Sequence, residues 1–441
     1  MSGRGYRTFR GGVHPPTHKE LSSSKAVTQA PVPAEVVIPL NQHIGAPNVP
    51  LVSPGDRVDV GQKIGETEAF VSAPVHSSVA GTVRAVEDVR NFTGAIVRAV
   101  VITADAEQPA FAAARMKPVG ELTADEIRRL AREGGLVGMG GAAFPTHVKL
   151  TPPRDKPVDT VLLNACECEP FLTCDHRLML ERPAHIVEGL KLLVRAVGAE
   201  RGIIGIEANK MDAVDGLRAA VSSEPGLDVA VLDVKYPEGS EKQLISVVTG
   251  RKVPPGMLPG EVGCLVQNVG TSVALYEMAS IGKPLYERVV TVTGPGLRSP
   301  GNFLAKIGTR ISMLIEAAGG WAGEPARLIM GGPMTGWAQE EPVASVVKGT
   351  SGVLVLTPEL VDARDEHACV RCGKCVEACP MFLMPNYIAE AAIREDWAKA
   401  EMYGALDCFE CGCCSYTCPA YIPHVSYARK AKAQLAALKK R

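Results

Sequence analysis

The amino-acid sequence predicts a multidomain α/β protein, and three observations lead there. Its 441 residues suffice for three or four domains of about 100 to 200 residues each. Strand-like and helix-like stretches alternate through residues 118 to 280, whereas the segments on either side read as short strands between turn residues. Eight of the 13 cysteines fall into two runs of one spacing near the C-terminus. A formal charge of −1 removes the electrostatic case for nucleic acid as a partner. No apolar run approaches the roughly 18 residues needed to span a bilayer, so any membrane association is expected to be peripheral and through partners.

Residues 1–33 are basic and Gly/Pro-rich and read as an extended arm; Arg4, Arg7 and Arg10 without an apolar stretch do not make a secretory signal. Residues 34–110 carry short apolar stretches from Val36 to Ile102, broken at Pro54-Gly55-Asp56, Gly61 and Ala80-Gly81, which predicts a small all-β unit. Its pattern resembles a lipoyl or biotinyl barrel-sandwich domain. The tip expected near Ala69, Phe70 and Val71 has no lysine to modify, so a packing or docking role without a covalent cofactor is expected.

The next unit, 118–280, opens on a helix capped by Thr123, with Asp125 and Glu126 in its first turn and Ile127, Leu130 and Ala131 on its apolar face. Strands are predicted at Thr160 to Asn164, Gly202 to Ile206 and Val229 to Val234, with an amphipathic helix from Ala184 to Val197. Such alternation argues a Rossmann-type sheet. Residues 285–350 return to short strands around Gly294 and Pro300-Gly301-Asn302, with a helix ending at Gly319-Gly320, a small α+β unit. Residues 360–425 hold the cysteine runs and a helix around Ile388 to Tyr403 between them. Residues 426–441 are a basic amphipathic helix, expected to be solvated along Lys430, Lys432, Lys439 and Lys440.

The runs are Cys369, Cys372, Cys375, Cys379-Pro380 and Cys408, Cys411, Cys414, Cys418-Pro419. This is the bacterial spacing for two 4Fe-4S clusters, in which the fourth cysteine of each run ligates the other cluster. Three thiolates two residues apart wrap one cubane, and the proline sends the fourth sulfur across. The expected sets are Cys369, Cys372, Cys375 with Cys418, and Cys408, Cys411, Cys414 with Cys379. A chain of this length needs no disulfide staples, and zinc sites use paired two-cysteine knuckles instead of four-cysteine runs. Cys413 falls outside the frame and reads as a spare thiol. Cys166, Cys168 and Cys174 lack standard spacing, and packing beside a cofactor is a better reading than a third metal centre. His43, His76 and His185 have no ligand-like spacing either.

In the α/β unit, Gly134, Gly135, Gly138, Gly140 and Gly141 precede Phe144-Pro145-Thr146, and glycine lets backbone approach a planar ring or phosphate closely. Asn164, Glu167 and Glu169-Pro170 follow one predicted strand, then come Glu238-Gly239-Ser240-Glu241, and Gln267, Asn268, Gly270 and Thr271 stand before a helix. At carboxyl ends of strands such segments converge on a nucleotide crevice.

This order is similar to the FMN and NADH pocket of the flavoprotein subunit of respiratory complex I. The stretches Gly11 to Leu21, Phe144 to Leu150 and Asp175 to Met179, with both cysteine runs, resemble the C subunit of the Rnf (Rsx) electron transport complex, and the resemblance extends from about Phe9 to Ile422. It implies a barrel-sandwich hybrid, a complex-I-like nucleotide domain, an SLBB-type β-grasp unit and a ferredoxin-like two-cluster domain. It implies FMN and two 4Fe-4S clusters as cofactors and NAD(H) as substrate. Integral membrane and iron-sulfur subunits of the same complex are the implied partners, with ferredoxin reached indirectly. The implied location is peripheral, on the cytoplasmic face of the inner (plasma) membrane.

Carried over by residue, Gly138, Gly140 and Gly141 correspond to the loop along flavin and nicotinamide, and Lys149 to the cation near the FMN phosphate. Asn164, Glu167 and Glu169 match the acidic segment, Glu241 a second acidic contact, and Asn268 with Thr271 the phosphate contacts at a helix start. Glu167, Glu169 and Glu241 are the expected catalytic residues. Three positions depart from the complex I pattern: Cys166 replaces an aspartate, Cys168 a serine and Ala143 a glycine. NADH yields a hydride pair and a cluster takes single electrons, so a flavin between them is expected as converter. Two other readings stay open, a non-catalytic relay or docking subunit and a soluble NADH-dependent cobalamin-type reductase.

Overall fold

The computed structural model describes residues 6–439; Arg4 of the arm and Lys440 of the tail lie outside the described residues. From Tyr6 on, the arm is extended apart from one 3-10 turn at Lys19–Leu21, and it is tied to the other domains at several points. Arg7 bridges Leu232, Val13 pairs with Tyr236, and the Gly12 N–H donates to Ala378 O at 2.8 Å. Its last residues, β1 (Val27–Gln29), add a parallel strand to a distant sheet.

The all-β unit holds β2 (Glu35–Pro39), β3 (Val49–Pro50), β4 (Arg57–Val58), β5 (Lys63–Glu66), β6 (Val75–His76), β7 (Gly81–Arg90) and β8 (Ile96–Ala104). They form two small sheets, β2-β8-β7-β4 and β3-β5-β6, closed around Val36, Ile38, Ile64, Val83, Val100 and Ile102. The loop between β5 and β6 carries Phe70 and is docked on the α/β domain. His147 Nε2 lies 2.8 Å from Phe70 O, the two rings meet edge-on, and Arg132 donates to Thr67 O. A hairpin held in this way is an interface element and not a swinging arm.

In α1 (Ala124–Glu133) the expected cap is a reciprocal capping box: Thr123 Oγ1 accepts from the Glu126 N–H, and Glu126 accepts from the Thr123 N–H. The order continues α2 (Thr146–Lys149), β9 (Thr160–Ala165), α3 (Cys174–Glu181), α4 (Pro183–Val197), β10 (Arg201–Glu207), α5 (Met211–Val221), β11 (Leu227–Leu232), α6 (Glu241–Thr249), β12 (Cys264–Asn268) and α7 (Val269–Ile281). The strands form a parallel sheet of order β11-β10-β9-β12. Period-two alternation splits its side chains between two layers: Val161, Leu163, Ile204, Ile206 and Leu265 share a core with α1, α4, α5 and α7, while Leu162, Ile203 and Val266 pack on α6. Burial on both faces explains why these strands read as continuous apolar runs.

The following unit comprises β13 (Glu287–Thr293), β14 (Gly301–Lys306), α8 (Ile311–Ala317), β15 (Arg327–Met330), β16 (Trp337–Gln339) and β17 (Gly352–Leu356) in a sheet of order β1-β14-β13-β17-β15-β16. The unit therefore runs past the expected boundary at 350, since β17 is an inner strand between β13 and β15. Helix α8 stops at Ala317, and Gly319 and Gly320 reverse the chain at φ 80° and 76°.

The last unit has α9 (Lys374–Ala378), α10 (Pro385–Ile393), α11 (Trp397–Met402), α12 (Cys413–Tyr416) and α13 (His424–Lys439). The single helix expected from Ile388 to Tyr403 is two, broken where Glu395 takes φ 56° and Asp396 caps α11. The basic tail differs from expectation as well. Lys430 pairs with Glu395, Lys432 and Arg429 both reach Glu410 at 2.6 Å, and the Arg429 guanidinium lies over the Trp337 ring. No helix among the described residues is long and apolar enough to cross a membrane.

Candidate functional site

From β9 the chain crosses to β10 on one side and later reaches β12 on the other, so the gap between β9 and β12 is a topological switch point. Open α/β sheets bind ligands at the carboxyl ends beside such a point. There Asn164 and Asn268 are register partners. A cleft of about 380 Å³ opens above them, roofed by loops of the six-stranded sheet and of the barrel. Gly140, Gly141, Asn164, Glu167, Glu169 and Asn268 all line it. A side chain at Gly140 would meet nothing nearer than Asn268 at 3.7 Å, and Gly141 sits at φ 109° with open space beside it. That bare backbone floor suits a flat ring. Ala143 also lines the cleft and takes a left-handed φ of 49°, which its methyl makes costlier than for glycine. His43 reaches the wall too, and burial pushes its pKa down to about 4, so it stands neutral.

The acidic loop after β9 is built by its surroundings. Glu167, at φ 45°, accepts the N–H groups of Asp175 and His176 at the start of α3 at 2.7 and 3.2 Å. Glu169 accepts from the Met334 and Thr335 N–H groups and from the Thr335 hydroxyl, and burial raises its pKa. Three residues outside the expected set, Asp175, Lys19 and Lys210, complete the arrangement. Asp175 lines the cleft and accepts from Asn268 Nδ2 at 2.6 Å; burial, then the neighbouring Glu167, holds its carboxyl well above the ordinary range. Lys19, from the arm, buries its ammonium beneath the loop and donates to the carbonyls of Glu167, Glu169 and Leu172 at 2.8, 3.0 and 2.5 Å. Lys210 does the same to Cys166 O at 2.5 Å. Both Asp175 and Lys19 belong to stretches that carry the family resemblance, which was the available signal.

Four expected residues stand back from the cleft. Lys149 Nζ is held by Glu241 Oε1 at 2.7 Å and Val266 O at 3.1 Å. Thr271 is buried, accepting from the Met139 N–H and donating to Val137 O, so it anchors the glycine loop to α7. The Gly138 N–H closes that loop on Phe144 O. Cys174 and the carboxylates of Glu167 and Asp175 place ligand-type atoms within 4.8 Å of one another, but both carboxylates are already engaged by N–H donors.

In the last unit the eight thiols fall into two groups of four. Cys379, Cys408, Cys411 and Cys414 line one cavity, and Cys369, Cys372, Cys375 and Cys418 line another. Each group takes one cysteine from the opposite run, and the backbone repeats to suit. Arg371, Gly373 and Phe382 in the first run, and Glu410, Gly412 and Tyr421 at the equivalent places in the second, all take positive φ. These turns aim amide groups at sulfur, as with the Arg371 N–H on Cys369 and the Leu383 N–H on Cys379, both at 3.4 Å. Cys413, outside the frame, is fully buried, lines the first cavity beside that quartet, and its thiol donates to Tyr236 O at 3.9 Å. The first group lies against the α/β domain, where Tyr236 Oη donates to Cys411 O at 2.8 Å and Gln243 to Pro380 O at 3.0 Å. Cys369 and Cys372, in the second group, are exposed.

The chain matches four families in sequence: the RnfC barrel sandwich hybrid domain over residues 7–107, the Nuo51 FMN-binding domain over 131–277, the SLBB domain over 289–338 and the 4Fe-4S dicluster domain over 362–419. It is 45% identical to the C subunit of the Na(+)-translocating ferredoxin:NAD(+) oxidoreductase complex of Acetobacterium woodii, covering 91% of this chain and 90% of that one. It is 42% identical to the C subunit of the proton-translocating ferredoxin:NAD(+) oxidoreductase complex of Clostridium ljungdahlii, covering 91% and 88%. Among solved structures, an NAD+-reducing [NiFe]-hydrogenase chain shares the fold over 64% of this chain and 55% of its own, with a TM-score of 0.50 and 23% identity.

Proposed function

The chain belongs to the RnfC family, the C subunits of ion-translocating ferredoxin:NAD(+) oxidoreductase complexes, and on that premise we propose that it exchanges electrons with NAD(H) in the cleft and passes them singly through two 4Fe-4S clusters. The observation that carries this reading is the pairing of a glycine-floored cleft at the switch point with two thiol quartets, one of them against the same domain. The residues present fit both groups: the four in-frame thiols of each set line one cavity, with Cys413 as a fifth cysteine in the first, and Gly140 and Gly141 leave room for a ring over Asn164 and Asn268.

FMN, when bound, converts the hydride pair of NADH into single electrons. The chain's own residues bind and orient. Gly140 and Gly141 form the floor and Gly138 closes their loop, Asn268 and the start of α7 face the phosphate end, and Asn164, Glu167 and Glu169, held in place by their own hydrogen bonds, line the ring and nucleotide side. Lys149 and Glu241 support the phosphate side as a pair, and Thr271 holds the loop. Glu167, Glu169 and Glu241 act by orientation, and none serves as a nucleophile. The Cys411 quartet and the Cys369 quartet would each hold a cluster, which would supply single-electron carriers between the cleft and the surface where Cys369 and Cys372 are exposed. The redox partners are membrane and iron-sulfur subunits of the complex on the cytoplasmic face of the membrane, which couple electron flow in either direction to sodium or proton movement.

The test is anaerobic purification with flavin and iron quantification, followed by NADH addition. We expect about eight iron atoms per chain for two four-iron clusters, one FMN, and bleaching of flavin and clusters by NADH. Iron without flavin, and clusters reduced only by dithionite, would replace this reading with the relay one, which the Ala143 methyl at the cleft wall favours.

A further inference from the structure

Cys168 of the cleft wall and Cys411 of one thiol quartet share a single packed layer of buried side chains. Cys168 lines the cleft and packs, with Met334, against a buried cluster of Val13, Tyr236, Ala378, Cys411 and Cys413. Tyr236 is the large residue of that layer and is buried. Its backbone is fixed on both sides by Val13 of the arm, with Val13 N to Tyr236 O at 2.8 Å and Tyr236 N to Val13 O at 2.9 Å. Its hydroxyl donates to the carbonyl of Cys411 at 2.8 Å, so one hydrogen bond joins the ring to the backbone of a cluster-site residue. Met334 completes the layer from the other side: its N–H donates to Glu169, and a side chain added at Gly412 would come within 3.0 Å of its carbonyl oxygen.

Resting on the function proposed above, we propose that Tyr236, flanked by Cys168 and Met334, is the bridge by which an electron leaves the cleft for the clusters, and that Tyr236 is the positioning residue of that step. One electron is lost by the group reduced in the cleft and one is gained by the cluster at Cys411. Tyr236 keeps its proton and is neither oxidised nor reduced. Dense packing matters because a gap removes the contacts through which donor and acceptor couple.

The test uses full-length, cofactor-loaded protein. Tyr236→Phe keeps the ring and removes the hydrogen bond; Tyr236→Leu also removes the ring. Stopped-flow absorbance separates flavin bleaching by NADH from the later bleaching of the clusters. We expect the flavin phase to be unchanged in both variants and the cluster phase to slow at least severalfold in Tyr236→Leu, less in Tyr236→Phe, while dithionite still reduces both clusters fully. An unchanged cluster phase in Tyr236→Leu at wild-type iron and flavin content overturns the proposal. If Tyr236→Leu loses iron, Met334→Ala and Tyr236→Phe are read in the same way. If NADH fails to reduce the flavin of the unmodified protein, the proposed function fails; flash photoreduction of that flavin then supplies the electron, and the same comparison of cluster phases decides the bridge. Protein without any bound flavin overturns both.

Discussion

Gly140 shows how a single missing side chain can serve a ligand and not the fold. A Cβ there finds room in the free protein, with its nearest neighbour at 3.7 Å. Gly140→Val is therefore expected to leave stability within about 0.5 kcal/mol of the parent, while its branched side chain fills the cleft floor. NADH-driven reduction and flavin content should fall away, and dithionite should still bleach both clusters. Full NADH-dependent cluster reduction in the variant would move the site away from this loop. Residues of this kind were legible because glycine clusters and short acidic motifs announce themselves locally. Asp175, Lys19 and the internal role of Thr271 were not, since each depends on a partner the sequence does not bring near: Asn268 for Asp175, the loop carbonyls for Lys19, and Met139 and Val137 for Thr271.

Among elements, the helix cap at Thr123 and the strands of the parallel sheet were readable because capping and burial leave local patterns. Strand β17 escaped because a five-residue apolar run carries no sign of which sheet it enters, and the break at Glu395 escaped because nothing in its composition requires φ 56°. The duplicated cysteine run was legible through spacing alone, and its crossed grouping gives a sharp prediction. In Cys379→Ala the cluster bounded by Cys408, Cys411 and Cys414 should be lost while the one at Cys369 survives. Electron paramagnetic resonance of the reduced variant, with iron analysis, distinguishes the two. Survival of the Cys411 cluster with loss of the other would mean that each run folds on its own metal.

Across the whole molecule, Lys348 joins three domains. It is fully buried, and its ammonium nitrogen donates to Pro74 O of the barrel at 2.5 Å and Gly135 O of the α/β domain at 2.6 Å. Among the described residues no carboxylate pairs with it, and burial lowers its pKa from 10.5 to about 7. His43 and His76, which also face it, are themselves held neutral by burial. Between the folded and unfolded values the unfolded chain binds a proton that the native one does not. Stability should accordingly rise with pH across that window, by up to about 1.4 kcal/mol per unit. Lys348→Met should flatten the slope, as read from denaturant midpoints; parallel slopes for the two proteins would refute the assignment.

The N-terminal arm has a consequence for how the chain is made. Domains usually fold in the order they leave the ribosome. Here Val27–Gln29 must wait for Asn302–Leu304, and Gly12 must wait for Ala378. At about 5 to 20 residues per second, the second wait lasts roughly 20 to 70 s. The arm is synthesised ahead of every domain it ties, and its last ties, to Asn302–Leu304 and to Ala378, form only after those segments have emerged, so it acts as a closing lace.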